Sequence, residues 1–307
     1  MKTMITFQIE EEYKRMGEEI LGKDNLISSP EQGKPEILLV RDNSFIRYDS
    51  AKFIQTTTAG TDNIDMSSIP NDVTIASNAG AYSIPVAEHV FAIILERSKK
   101  ISKFLSDTRL GLFRPESTRP LYGKTIGIVG YGGIGSRVGQ IAKSFGMNVT
   151  AIGRSFRDSN ADVFLGLESI NEVFSKSDYI VISIPLTSNT IDLIGKEQLE
   201  NAKENCMIVN VARAEIIKME DMLEFLERRR DVSYLTDVWW GEPILRNTGR
   251  ENIVVTPHVA GGLSPEFKRI AFKEAFTNIK RYADGKAPRN IVKREESVYF
   301  QRERLGV

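Results

Sequence analysis

The run Lys124–Ser155, KTIGIVGYGGIGSRVGQIAKSFGMNVTAIGRS, decides how the rest of the chain is read. Thr125–Val129 is short, apolar and rich in β-branched residues, which suits a strand buried on both faces. Gly130, Gly132 and Gly135 follow as G-x-G-x-x-G. A helix is expected at once, because Ile134, Val138, Ile141, Ala142 and Phe145 recur on one face. Gly146 is placed to end it, and Asn148–Ile152 reads as a second strand. Strand, glycine turn, helix and strand in that order are the context that a dinucleotide fingerprint requires. Gly130 permits the tight turn. Gly132 lets the backbone approach a pyrophosphate seated on the helix N-terminus, and Gly135 lets the helix pack against the strand.

The end of the second strand bears on the cofactor. An NAD site usually carries Asp or Glu there for the ribose 2′-OH. This chain has Gly153, then Arg154, Ser155 and Arg157, with no carboxylate before Asp158. A missing acid removes repulsion toward a 2′-phosphate, and the Arg154 fork can hold one. NADP(H) is therefore the expected preference, with NAD(H) possible.

Composition narrows the rest. A chain of 307 residues has room for two ordinary domains. With 41% hydrophobic and 27% charged residues it can bury a core and stay soluble. Its formal net charge of zero argues against nucleic acid or an anionic membrane as a partner. A single cysteine, Cys206, leaves no internal disulfide framework and fits a reducing compartment. The N-terminus has no signal-peptide core and no apolar run approaches a membrane span, so a cytoplasmic location is expected. With only His89 and His258, and no H-E-x-x-H or C-x-x-C, no metal site is expected.

Strand-like runs at Met4–Phe7, Ile37–Val40, Phe53–Thr58 and Val73–Ala76, with a helix at Glu10–Leu21, predict a small α/β unit in the first 85 residues. A helix over Val86–Lys99 leads to the glycine motif. Beyond it, strands at Tyr179–Ile184, Met207–Val211, Tyr234–Val238 and Ile253–Thr256 alternate with helices near 168–174, 196–201 and 219–230. That alternation predicts a parallel sheet covered by helices on both faces. The run Arg228–Arg230 is placed in the last turn of the third of these helices, where cations suit the macrodipole. One long helix, Pro265–Ala283, closes the chain. The expected fold is a doubly wound Rossmann domain, 88–261, inserted into a smaller substrate domain formed by 1–87 and 262–307. The cleft between them is the expected substrate position.

Three residues follow sheet strands: Arg213 in VNVARAE, Glu242 in DVWWGEP and His258 in TPHVAGG. Ligands in such sheets sit beyond the strands' carboxyl ends. The set suits reduction of a carbonyl. Arg213 can fork onto a carboxylate and polarise the adjacent carbonyl. His258 can give a proton to the carbonyl oxygen as hydride reaches its carbon, and a nearby Glu242 favours the imidazolium form. Asp237 can accept from a nicotinamide carboxamide. His89, on a helix face between Val86 and Ile93, reads as a packed or hinge histidine. Trp239 and Trp240 line a pocket or cap the core, and Cys206, opening a buried strand, reads as inert.

The chain resembles the D-isomer-specific 2-hydroxyacid dehydrogenase family. The resemblance runs through TTTAGTDNID (56–65), SNAGAYSIPVAEH (77–89), GKTIGIVGYGGIG (123–135), SIPLTSNT (183–190), VNVARAE (209–215), DVWWGEP (237–243) and TPHVAGG (256–262). It implies substrate binding and carbonyl polarisation for Arg213, proton transfer for His258 and tuning of that histidine by Glu242. It implies a substrate carboxylate on the backbone amides of Ala59, Gly60 and Thr61. It places the cofactor against Gly133, Ile134, Pro185, Val211, Ala212 and Asp237. A flavodoxin-like substrate domain, a homodimer through the nucleotide domains and the D product hand are also implied. Ala214 stands where the family usually has Gly; if that position needs φ > 0, Ala is strained by about 1 kcal/mol. The Trp pair is unusual and would narrow the pocket.

The expected activity is reduction of a small 2-oxo acid of the glyoxylate or hydroxypyruvate type to the D-2-hydroxy acid. A dinucleotide-sensing scaffold of the co-repressor kind and a phosphite-type dehydrogenase are the alternatives.

Overall fold

Residues 1–43, 49–154, 160–262 and 264–300 are described by a computed structural model of the chain. They divide into two units. The first holds Met1–Tyr82, Leu186–Asn189 and the described chain from Gly262 onward; the second holds Ser83–Pro185 and Thr190–Gly261. The boundary thus falls at Tyr82 and not at residue 87. Leu186–Asn189 also leaves the expected 88–261 block, because the Ser188 N–H donates to the Glu296 carbonyl at 2.9 Å.

The first unit begins with β1 (Thr3–Ile5), α1 (Glu11–Leu21), β2 (Leu26–Ile27), β3 (Ile37–Val40), β4 (Phe53–Thr56) and β5 (Thr74–Ala76). All pair in parallel, in the order β2-β1-β3-β4-β5. This is the strand order of flavodoxin-like folds. Alternation along β3 feeds two cores. Leu38 and Val40 pack with Ile54, Ile64 and Ile75, while Ile37 and Leu39 pack with Phe53, Tyr13 and Phe276. The two-residue β2 was not foreseen from the sequence.

The second unit runs α2 (Ser83–Lys99), α3 (Ile101–Arg109), β6 (Thr125–Val129), α4 (Gly133–Ser144), β7 (Asn148–Ile152), β8 (Val163–Leu165), α5 (Ile170–Lys176), β9 (Tyr179–Ile182), α6 (Lys196–Glu200), β10 (Met207–Asn210), α7 (Met219–Arg228), β11 (Ser233–Thr236) and β12 (Ile253–Val255). Its sheet is parallel, in the order β12-β11-β10-β9-β6-β7-β8. The order reverses between β6 and β9, the switch point where doubly wound sheets bind ligands. The apolar runs of β9, β10 and β11 are buried throughout, as helices on both faces require. The chain returns to the first unit as α8 (Pro265–Ala283), whose Phe272, Ala275, Phe276 and Ile279 pack into the second of that unit's cores.

Two differences from the sequence reading have clear causes. α7 stops at Arg228, so Arg229 and Arg230 lie past its last turn. Arg229 turns onto Asp231 at 2.8 Å and onto the Ala202 and Lys203 carbonyls. α3 was not expected, because none of its residues is buried and it carries no inward stripe to read.

Candidate active site

β10, β11 and β12 are neighbours in the sheet, so the segments that follow them leave from one edge. Arg213 lies just past β10 in extended backbone, half-buried, with its Nη1 donating to the Ala212 carbonyl at 2.8 Å. Asp237 follows β11 directly and is buried. Glu242 stands at the end of the turn that starts at Trp239. Its Oε1 accepts the Trp239 backbone N–H at 2.6 Å, and its Oε2 lies 2.8 Å from His258 Nδ1.

An ionised carboxylate only accepts, so Nδ1–H of His258 is the donor and Nε2 is the nitrogen left for other chemistry. His258 is 43% exposed and Glu242 22%. His258 also has φ +55, an uncommon conformation for a residue with a Cβ, and its N–H donates to the Thr256 carbonyl at 2.9 Å. The next two residues fix that turn from the other side. Asp237 Oδ1 accepts the Val259 N–H at 2.9 Å and Oδ2 the Ala260 N–H at 2.7 Å.

At the switch point the glycine turn has the shape a dinucleotide needs. Gly130 has φ +104, and a Cβ there would lie 2.4 Å from the Ile184 backbone nitrogen. A Cβ on Gly135 would lie 2.2 Å from the Gly130 carbonyl oxygen, so this glycine sets how closely α4 meets β6. Gly132 is different. It caps α4, and a Cβ there would meet no protein atom within 4 Å. Open space therefore lies before a twelve-residue helix whose first N–H groups, those of Gly133 and Ile134 among them, have no intrahelical acceptor. These residues fit a pyrophosphate. Gly153 and the exposed Arg154 follow β7 at the same sheet edge. Ser155 lies outside the described residues. Pro185 is exposed, Val211 is buried, and the Val211 N–H donates to the Ile182 carbonyl at 3.2 Å.

In the first unit, the loop after β4 has its carbonyls tied inward. Thr57 O accepts from the Tyr82 hydroxyl at 2.7 Å, Thr58 O from Thr56 Oγ1 at 2.8 Å and Gly60 O from Thr58 Oγ1 at 2.8 Å. Among the described residues no protein acceptor pairs with the N–H of Ala59, Gly60 or Thr61. Successive free N–H groups of this kind suit an anion.

The family model described as "D-isomer specific 2-hydroxyacid dehydrogenase, NAD binding domain" matches residues 91–260. The chain belongs to this dehydrogenase family. Among curated relatives, D-3-phosphoglycerate dehydrogenase of Methanocaldococcus jannaschii is 29% identical over 95% of this chain, which spans only 59% of that protein. Glyoxylate reductase of Aeropyrum pernix is 32% identical, covering 77% of this chain and 74% of that one. Among solved structures, a glycerate dehydrogenase related protein from Thermoplasma acidophilum is 41% identical. It covers 92% of this chain and all of its own, with a TM-score of 0.72.

Several parts of the candidate site escaped the sequence reading. Asn210, fully buried, organises the turn that carries Arg213. Its Nδ2 donates to the Arg213 carbonyl at 3.0 Å and its Oδ1 accepts the Ala212 N–H at 3.0 Å. A polar residue closing the apolar run MIVN was the available signal. Ser183 Oγ donates to the Gly130 carbonyl at 2.8 Å, joining β9 to the glycine turn.

Local contacts decide what Ala214, the Trp pair and Cys206 do. Ala214 opens a 3-10 turn and is absent from the positive-φ residues, so no strain arises from its Cβ. Trp239 is buried in the core and donates from its indole N–H to the Arg246 carbonyl at 2.8 Å. Trp240 does the same to the Ile217 carbonyl at 3.0 Å, and both rings pack on Tyr234. The pair therefore caps the core, one of its two expected roles, and anchors the Glu242 turn. Cys206 is fully buried, and burial pushes its thiol up to about 12, which fits an inert side chain.

Proposed function

We propose that the chain is a 2-oxo acid reductase that makes a D-2-hydroxy acid, prefers NADP(H), and acts on small substrates of the glyoxylate or hydroxypyruvate class. The observation that carries the reading is the His258–Glu242 contact, presented from the same sheet edge as Arg213. A reduced nicotinamide, when bound, supplies the hydride. The chain supplies the rest. Gly130, Gly132, Gly133, Ile134 and Gly135 would hold the pyrophosphate, and Arg154 the 2′-phosphate. Pro185, Val211 and Ala212 are assigned to the cofactor's surroundings. Asp237 has one acceptor position left on Oδ2 for the carboxamide.

Arg213 would bind the substrate carboxylate and draw electron density from the carbonyl oxygen. The N–H groups of Ala59, Gly60 and Thr61 form a second carboxylate-binding element. His258 holds the proton on Nε2 and delivers it to the carbonyl oxygen, while Glu242 balances the imidazolium charge at Nδ1. The relatives named glyoxylate reductase and glycerate dehydrogenase related protein support this substrate class. Chiral analysis of the product from hydroxypyruvate and NADPH tests it. D-glycerate is expected; L-glycerate or a racemate would contradict the reading.

We further propose a homodimer through the second unit. Phe113 is 92% exposed, and Leu105 on α3, Leu110 just past it and Tyr122 are exposed too. Large apolar side chains left exposed in such number suit a surface that a second copy covers. Sedimentation at micromolar concentration should give about twice the chain mass. Among the described residues no helix is long and apolar enough to cross a membrane.

A further inference from the structure

His89 sits on α2, far in sequence from the His258 turn, yet its Nε2 lies 2.9 Å from Thr256 Oγ1. The Thr256 hydroxyl has one proton, and the 2.6 Å contact to Asp237 Oδ1 claims it. The Thr256 oxygen must then accept from His89, so His89 carries its proton on Nε2. Asp237 in turn holds the N–H groups of Val259 and Ala260, the two residues after His258. The Thr256 carbonyl holds the His258 N–H itself. His89 is only 17% exposed and Asp237 2%, so this relay works away from bulk water, where each bond counts for more.

We propose that His89 is a positioning residue for proton transfer. Through Thr256 and Asp237 it locks the left-handed turn that aims His258, and it touches neither substrate nor cofactor. Without the His89 donor, the Thr256 oxygen loses one of its two side-chain partners. Asp237 keeps its bonds to the Val259 and Ala260 N–H groups, but its bond to Thr256 is less firmly backed and the backbone after His258 loosens. The imidazole would still carry its proton but would spend less time aimed at the carbonyl oxygen. Such a fault appears in kcat and leaves ground-state binding intact. The inference rests on the reductase reading above for its kinetic arm only.

The test compares His89→Leu, His89→Gln, Thr256→Val and Thr256→Ser in the full chain, with active sites counted by NADPH titration. Glutamine can place an N–H near the imidazole Nε2 position, and serine keeps the hydroxyl. His89→Leu and Thr256→Val should each lower kcat about tenfold, with KM and NADPH affinity within about twofold of wild type. His89→Gln and Thr256→Ser should recover most of the loss. The double variant His89→Leu/Thr256→Val should be no slower than Thr256→Val alone, because both break one chain. Amide exchange at Val259 and Ala260 should quicken about tenfold in the Leu and Val variants.

Wild-type kcat and unchanged amide protection in His89→Leu would overturn the proposal. So would a His89→Gln variant as slow as His89→Leu. If His89→Leu does not fold, the Thr256→Val and Thr256→Ser pair makes the same comparison. If the wild type reduces no 2-oxo acid, the functional reading fails, and amide exchange alone decides the relay.

Discussion

The Glu242 carboxylate bridges its own turn and the His258 ring: one oxygen takes the Trp239 N–H at 2.6 Å and the other meets Nδ1 at 2.8 Å. The turn is in turn held by two indole N–H bonds. The acid is thus fixed before it meets the histidine, and the histidine's free nitrogen is fixed by the acid. His258→Ala should lower kcat by about 10²–10⁴. Glu242→Gln, which keeps the shape but removes the charge, should lower it by about 10–100-fold. Both variants should bind NADPH normally by fluorescence titration. A loss of NADPH affinity would mean that the pair serves the cofactor site instead.

Arg154 follows the strand where NAD enzymes usually carry an acid. Arg154→Ala should weaken NADPH by about 10–100-fold, the range of one charge-assisted bond, and leave NADH within about twofold. Equal weakening of both cofactors would remove the 2′-phosphate from this side chain.

The glycines of the turn should separate into two kinds. Gly130→Ala forces a Cβ against the Ile184 backbone at 2.4 Å and strains a φ of +104, so unfolding stability should fall by about 2 kcal/mol or more. Gly132→Ala meets no protein atom within 4 Å, so its stability should stay within about 1 kcal/mol of wild type. NADPH affinity should nevertheless fall, because the methyl group enters the space assigned to the pyrophosphate. Denaturant melts and cofactor titration of the two variants check the contrast.

Asp178 begins the approach to β9. Its Oδ2 accepts the Thr125 N–H at 2.9 Å and its Oδ1 the Lys203 ammonium at 2.8 Å. Burial alone would raise its pKa, but the Lys203 and Thr125 bonds prevail and hold it below the ordinary carboxylate value. A depressed carboxylate stabilises the fold above its unfolded pKa, near 4, and loses that contribution as pH falls through the folded value. Asp178→Asn should therefore cost about 1–2 kcal/mol at pH 7, and the difference from wild type should shrink in acid. A constant difference from pH 7 down to pH 3 would contradict this.

Much of this was legible in the sequence where one local pattern sufficed. Thr125–Val129 and Pro265–Ala283 have the predicted bounds because a β-branched run and a Ser-Pro start each mark themselves. Arg213, Glu242 and His258 were singled out by their places after strands, and the fold brings Glu242 and His258 into contact. The relay through Thr256, Asp237 and His89 was not legible, since its members meet only when α2 and β12 come together. The harmless fit of Ala214 was hidden for a related reason: it follows a turn in which Asn210 holds Ala212 and Arg213, and those bonds exist only in the folded chain. α3 and β8 gave no warning, as neither buries a full face.

The central claim is tested most directly by reduced-cofactor consumption. Purified protein is given NADPH and then NADH against glyoxylate and hydroxypyruvate, with His258→Ala beside it. The account predicts oxidation of NADPH by wild type with at least one acid, slower oxidation of NADH, and near-complete loss in His258→Ala. NADPH binding without oxidation of any acid, or equal rates in wild type and His258→Ala, would contradict it.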